Sequence, residues 1–182
     1  MKHKYLFKNF LKDKYIASVI PSSKFAVKTV CNKIDFNGKR VIVEYGPGTG
    51  VFTKILLQRM SEHSKLILIE RNKDMISILR KIKDPRVFIF NDTAENVVDI
   101  LHKCGEEKAD YVISGIPFSM IKKDEKNEIL GNTKKVLSND GKFLVYQFTL
   151  SVLMSLRKYF NKISYDFVLL NIPPLFIFIA VK

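Results

Sequence analysis

Val41-Ile-Val-Glu-Tyr-Gly-Pro-Gly-Thr-Gly50-Val-Phe-Thr-Lys54 decides the fold of this 182-residue chain. A β-branched run leads into a carboxylate, then into glycines at 46, 48 and 50, then into a helix-compatible segment. Glycine at alternate positions lets the backbone turn sharply and lets a ligand approach where a Cβ would block it. A helix starting near Val51 would point its unpaired N–H groups back at that ligand. Glu44, at the strand end, would repel a phosphate, so the spacing favours a ligand with a cationic or hydroxyl-rich face.

Working outward, Lys65-Leu-Ile-Leu-Ile-Glu70 reads as a second buried strand ending in a carboxylate, 20 residues beyond Gly50. An acidic residue at this distance from a glycine turn is placed to grip ribose hydroxyls at the strand ends of an open α/β sheet. Arg86-Val-Phe-Ile-Phe-Asn-Asp92 repeats the pattern and runs into Thr93-Ala94-Glu95, and Asp110-Tyr-Val-Ile-Ser-Gly-Ile-Pro-Phe118 is a fourth strand entering a Pro-Phe loop. Helical patterns near 51–62, 72–83, 94–103 and 124–137 alternate with these strands, which predicts a parallel sheet flanked by helices. Gly141 to Phe148 is a fifth strand; Ile163 to Leu170 and Leu175 to Val181 form a closing pair, broken at Asn171-Ile-Pro-Pro174. The length fits one domain over 1–182, with a basic segment at 1–23 and an α/β core at 24–182. No apolar run reaches the 18 or so residues of a membrane span.

The cysteines, Cys31 and Cys104, are far apart and form no C-x-x-C, which suggests a reduced cytoplasmic setting. His3, His63 and His102 have no ligand spacing, so no metal is expected. Charge is uneven: of the net +13, residues 1–40 carry +8 (ten Lys/Arg against two acids) and the remainder +5. Between Tyr5 and Ile16, Leu6/Phe10 and Phe7/Leu11/Tyr15 recur at helical spacing, and Lys4, Lys8 and Lys12 form a separate stripe. A basic helix with an aromatic face lies flat on anionic lipid. Each lysine near such a surface contributes about 1 kcal/mol. Packing of that face on the domain, and contact with nucleic-acid phosphates, are the other readings.

The glycine stretch resembles motif I of the class I S-adenosylmethionine-dependent methyltransferases, E/D-x-G-x-G-x-G, rather than the dinucleotide fingerprint G-x-G-x-x-G. That resemblance implies a Rossmann-like fold with a seven-stranded, mostly parallel sheet, helices on both faces and an N-terminal amphipathic helix. It implies S-adenosylmethionine as donor, S-adenosylhomocysteine as product, and a donor site at Glu44, Tyr45, Gly46, Gly48, Gly50, Glu70, Arg71, Asp92, Thr93 and Ala94. Asp92 would take the position that accepts a hydrogen bond from the adenine amino group. Ser114-Gly115-Ile116-Pro117-Phe118 resembles motif IV, beside the methyl donor.

Within that class, Ala17-Ser-Val-Ile-Pro-Ser-Ser23, Glu44 to Gly50, Ser114 to Phe118, Tyr146-Gln-Phe-Thr149 and Asn171-Ile-Pro-Pro174 resemble the bacterial and archaeal phospholipid N-methyltransferases. These convert phosphatidylethanolamine toward phosphatidylcholine. The implied protein is cytoplasmic, monomeric and peripheral on the inner membrane face, docked through its basic helix. Ser114 and the carbonyls of Gly115 and Ile116 would orient the amine, and Phe118 would wall the methyl. Tyr15, Ser22, Ser23 and Tyr146 are candidates for the headgroup phosphate or the amine proton; Ser22 and Ser23 also suit a helix cap. The ribosomal RNA adenine dimethylases share the core, but they carry Asn where this chain has Ser-Gly. An RNA acceptor, or a donor-binding protein without catalysis, are the alternatives.

Overall fold

The computed structural model describes residues 24–171 and 173–182. The 1–23 segment, with Tyr15, Ser22 and Ser23, lies outside the described residues. Seven strands form one sheet: β1 (Val41–Tyr45), β2 (Lys65–Glu70), β3 (Val87–Asn91), β4 (Ala109–Ser114), β5 (Leu137–Gln147), β6 (Lys162–Val168) and β7 (Leu175–Val181). Their order is β3-β2-β1-β4-β5-β7-β6. The first five are parallel, and β7 inserts antiparallel between β5 and β6. The seven-stranded, mostly parallel sheet with helices on both faces expected from the sequence is the one observed, and the expected N-terminal amphipathic helix lies outside the described residues.

Burial on both faces explains the near-continuous apolar strands. On one face Ile42, Leu66, Leu68, Ile113 and Leu144 pack under helices α1 (Lys24–Cys31), α2 (Val51–Arg59) and α3 (Lys73–Leu79). On the other, Val43, Ile67, Val112 and Phe143 pack under α4 (Val97–Lys103), α5 (Lys123–Val136) and α6 (Ser151–Leu156). α6 had no counterpart in the sequence reading. β5 begins four residues earlier than expected, because Leu137 pairs with Ala109 before the register shifts. The irregularity includes Asp140, at φ 62.

The topology places the site. From β1 the chain steps outward to β2 and β3, then returns to the other side of β1 as β4. In open α/β sheets the ligand crevice lies outside the carboxyl ends of the strands where the order reverses. Here that point lies between Tyr45 and Ser114, which are register partners.

Phe143 is fully buried, with its ring against Tyr45, Phe118 and Phe160 at 6.1–6.3 Å between centroids. Phe143→Ala should therefore cost about 3–5 kcal/mol, read as a lower urea midpoint at unchanged m-value.

Candidate active site

Three backbone segments meet at the reversal point. Gly46 N–H donates to Ile69 O at 2.9 Å and Gly115 N–H to Tyr45 O at 3.1 Å, which ties the ends of β1, β2 and β4 together. Gly46, Gly48 and Gly50 have φ of 64°, 57° and 79°. At Gly46 an added Cβ would also lie 3.2 Å from Ile116 Cγ2. Glycine is needed here both for the turn and for the space above it.

Glu70 holds this loop. Its Oε2 accepts the Gly48 N–H at 3.1 Å and its Oε1 the Asn72 N–H at 2.9 Å. Asn72 in turn caps α3, its Oδ1 accepting from Asp74 N and Met75 N. The carboxylate expected to grip hydroxyls also builds the turn beside which they would lie. An ionised carboxylate offers about four acceptor sites, so two bonds leave it capacity for ligand hydroxyls. Asp92 Oδ1 accepts from Thr93 N and Asn96 Nδ2, and these bonds, the Asn96 one first, hold its pKa below the ordinary value. Thr93 precedes a short 3-10 turn, Ala94–Asn96, in which Ala94 is buried. Arg71 is exposed, with its Nη1 3.8 Å from Glu125 Oε1.

Glu44, expected at the strand end, is enclosed there. It is 1% exposed, and its Oε2 accepts from Thr53 Oγ1 at 2.7 Å while Oε1 has no partner among the described residues. Burial raises its pKa to about 7, opposed by the Thr53 bond and aided by the Glu70 charge.

Side-chain alternation corrects two further expectations, and the 3-10 turn after β4 corrects a third. Tyr45 points to the opposite face from Glu44, where it is fully buried and its hydroxyl lies 3.1 Å from Thr133 Oγ1; only its backbone reaches the crevice. Ser114, its register partner, turns the same way, so the hydroxyl expected to orient an amine is enclosed, with no partner among the described residues. Phe118 does not wall a methyl: its ring is fully buried against Phe143. Gly115, Ile116 and Pro117 do keep partial exposure at the crevice. The Ile116 carbonyl, expected to orient the amine, accepts from Gln147 Nε2 at 2.6 Å.

Tyr146 is brought to this point from β5, half-buried and stacked on Phe52 at 4.7 Å. Gln147, Thr53, Phe52 and Asn72 were not anticipated as site residues. Asn72 had a sequence signal as an N-cap residue preceding a helical pattern, and Gln147 lay within the Tyr146–Thr149 stretch that carries the resemblance.

A methyltransferase-domain family profile matches residues 36–169. The ornithine lipid N-methyltransferase of Singulisphaera acidiphila is 31% identical over 96% of this chain and 93% of its own length. Ribosomal RNA small subunit methyltransferase A of Blochmanniella pennsylvanica is 27% identical over 64% of the chain, which spans only 43% of that protein. The chain is a class I S-adenosylmethionine-dependent methyltransferase. The fold agrees with solved structures of the precorrin-6y C5,15-methyltransferase of Geobacter metallireducens (TM-score 0.69, 16% identity, 86% of this chain and 88% of that one). It also agrees with an S-adenosylmethionine-dependent methyltransferase from Aquifex aeolicus (TM-score 0.62, 13% identity, 85% and 88%).

The methyltransferase site suits the donor that family and fold imply. The glycine loop leaves room, Glu70 and Asp92 are acceptors at successive strand ends, and Glu44 keeps a buried oxygen without a partner among the described residues.

Two predictions follow from the carboxylates. Glu70→Ala removes the acceptor from Gly48 and Asn72, so titration calorimetry should show S-adenosylmethionine binding weakened at least about tenfold. For Glu44, the folded pKa of about 7 exceeds the ordinary 4.5. Between those values the folded state holds a proton that the unfolded state has released, so stability is lost as pH rises through the window. Glu44→Gln, neutral throughout, should lack that slope when urea unfolding is compared across the same range.

Proposed function

We propose that this methyltransferase transfers methyl groups to the primary amine of a lipid headgroup at the cytoplasmic face of a membrane. The observation that carries the reading is an apolar rim at the crevice end of the sheet. Leu169 and Leu170, in the turn after β6, are 68% and 65% exposed, and Met154 on α6 is 66% exposed. Phe148 and Leu150, just beyond β5, are exposed beside them in sequence. A soluble acceptor gives no reason to keep such groups in water at the end of the sheet that carries the site, whereas an amphiphile does.

Similarity supports the same acceptor class. The lipid N-methyltransferase relative is matched along nearly its whole length, and the ribosomal RNA methyltransferase over less than half. Phosphatidylethanolamine and ornithine lipids each offer a primary aliphatic amine. The basic, aromatic sequence at 1–16 would add electrostatic attraction to anionic lipid.

S-adenosylmethionine, when bound, supplies a methyl on a cationic sulfur that is already electrophilic. The protein's task is to align a neutral amine and exclude water. Such an amine has an ordinary pKa near 10.4, so only about one in 10³ is neutral at pH 7. The glycine loop and the Gly115–Pro117 segment form a floor of backbone and apolar atoms. Desolvation against it, near a cationic donor, lowers the amine's pKa.

Radiolabelled methyl transfer tests the proposal. Vesicles containing phosphatidylethanolamine or an ornithine lipid should take the label, and total RNA should not. Label confined to RNA would replace the lipid reading, and donor binding without transfer to either would indicate a non-catalytic protein. Leu169→Ser with Leu170→Ser, or deletion of residues 1–16, should lower turnover on anionic vesicles several-fold with donor affinity unchanged.

A further inference from the structure

We propose that the Tyr146 hydroxyl is the side-chain group that receives and orients the acceptor amine. The inference rests on the reading of the acceptor as an amine, but its evidence is the geometry of one row of residues. Tyr45, Ser114 and Val145 form the last register row shared by β1, β4 and β5. One residue further, on the face that carries Glu44, the row reads Gly46, Gly115, Tyr146. Two positions without side chains stand beside one large side chain.

The tyrosine fills the space that Gly115 leaves. A Cβ placed on Gly115 would overlap Tyr146 Oη and lie 2.6 Å from its Cζ. The phenol end therefore sits over β4, at the reversal point, although its backbone belongs to β5. Its ring is fixed by near-parallel stacking on Phe52, with 4.7 Å between centroids and 15° between planes. Its carbonyl accepts from Gln147 Nε2 at 3.1 Å, and the same amide nitrogen holds Ile116 O. One residue thus fixes both the tyrosine and the loop beneath its hydroxyl.

Three hydroxyls of the described residues near this row point elsewhere. Tyr45 Oη pairs with Thr133, Ser114 Oγ is enclosed on the opposite face, and Thr53 Oγ1 donates to Glu44. Tyr146 is half-buried, with its ring on an apolar support and part of its surface open. A phenol oxygen so placed accepts an N–H from the amine and aims the nitrogen lone pair, without gaining or losing a proton itself. Nitrogen held at a fixed acceptor atom is the near-attack geometry that methyl transfer needs.

Tyr146→Phe removes the hydroxyl and keeps the ring on Phe52; Gly115→Ala displaces the hydroxyl by overlap. The full chain and both variants are compared for kcat and KM on phosphatidylethanolamine vesicles, for S-adenosylmethionine affinity by calorimetry, and for Tm. The expected result for Tyr146→Phe is a kcat lower by about 10²-fold. Its KM, donor Kd and Tm should stay near wild type, and Gly115→Ala should lose comparable activity. Wild-type kcat in Tyr146→Phe overturns the assignment while leaving the lipid reading intact. Parallel loss of donor binding and Tm also overturns it, by showing a structural role. A wild-type enzyme that labels RNA and not lipid defeats the lipid reading, and the same comparison on RNA then decides Tyr146. A wild-type enzyme that labels neither defeats both.

Discussion

The site depends on one clamp, the Glu70 carboxylate bonded to the backbone N–H groups of Gly48 and Asn72. Hydrogen bonds to an ionised acceptor are worth about 1.5–3 kcal/mol each. This pair spans the turn after β1 and the start of α3. The first is the loop against which a donor must lie; the second follows the strand end where donor hydroxyls are read. A left-handed glycine loop has little of its own to hold one shape, since glycine surrenders the most conformational freedom on folding. Strand β2 supplies that constraint, and the residue that ends its apolar run Leu66–Ile69 becomes the most consequential one in it.

Glu44 shows the other side of the same economy. Two carboxylates share one face of the sheet near the loop, one satisfied by backbone donors and the other by a single threonine hydroxyl. The one with fewer donors has the raised pKa, and the Glu70 charge adds to the effect of burial. A fold selected only for stability would place an apolar residue there. A buried acid with a spare oxygen beneath a loop suited to a cationic ligand is a local cost that binding of that ligand would offset.

Fold and loop were legible because the parallel strands are long apolar runs closed by acids, and because the glycines admit few other readings. Glu70 and Asp92 were found by their place at strand ends. The side-chain directions were not legible, for a physical reason. A strand buried on both faces shows no polar alternation, so nothing in Val41–Tyr45 or Ala109–Ser114 tells which residues face the crevice. Tyr45 and Ser114 were assigned by position in a motif, and the pleat turned both away. Phe118 was placed beside the methyl by the same logic, and its burial against Phe143 shows it anchoring the loop from below. The pairing of Gly115 with Tyr146 joins residues 31 apart in sequence and depends on register, which no local pattern encodes.

The antiparallel closure of the sheet explains how an apolar rim comes to lie at the catalytic end. Had β6 and β7 continued the parallel pattern, a crossover would have been required to join them. With β7 reversed between β5 and β6, Val168 pairs with Leu175, and the connecting turn lies at the end where β5 finishes at Gln147. Leu169 and Leu170 are carried there by topology. On the edge strand, Tyr165 and Phe167 remain exposed and contact Phe176, so the apolar surface continues down from the turn. Exposed aromatics on an edge strand are a liability that proteins in water usually blunt with charge. On the proposed reading of a lipid acceptor, a lipid surface is the setting in which that arrangement stops being a cost.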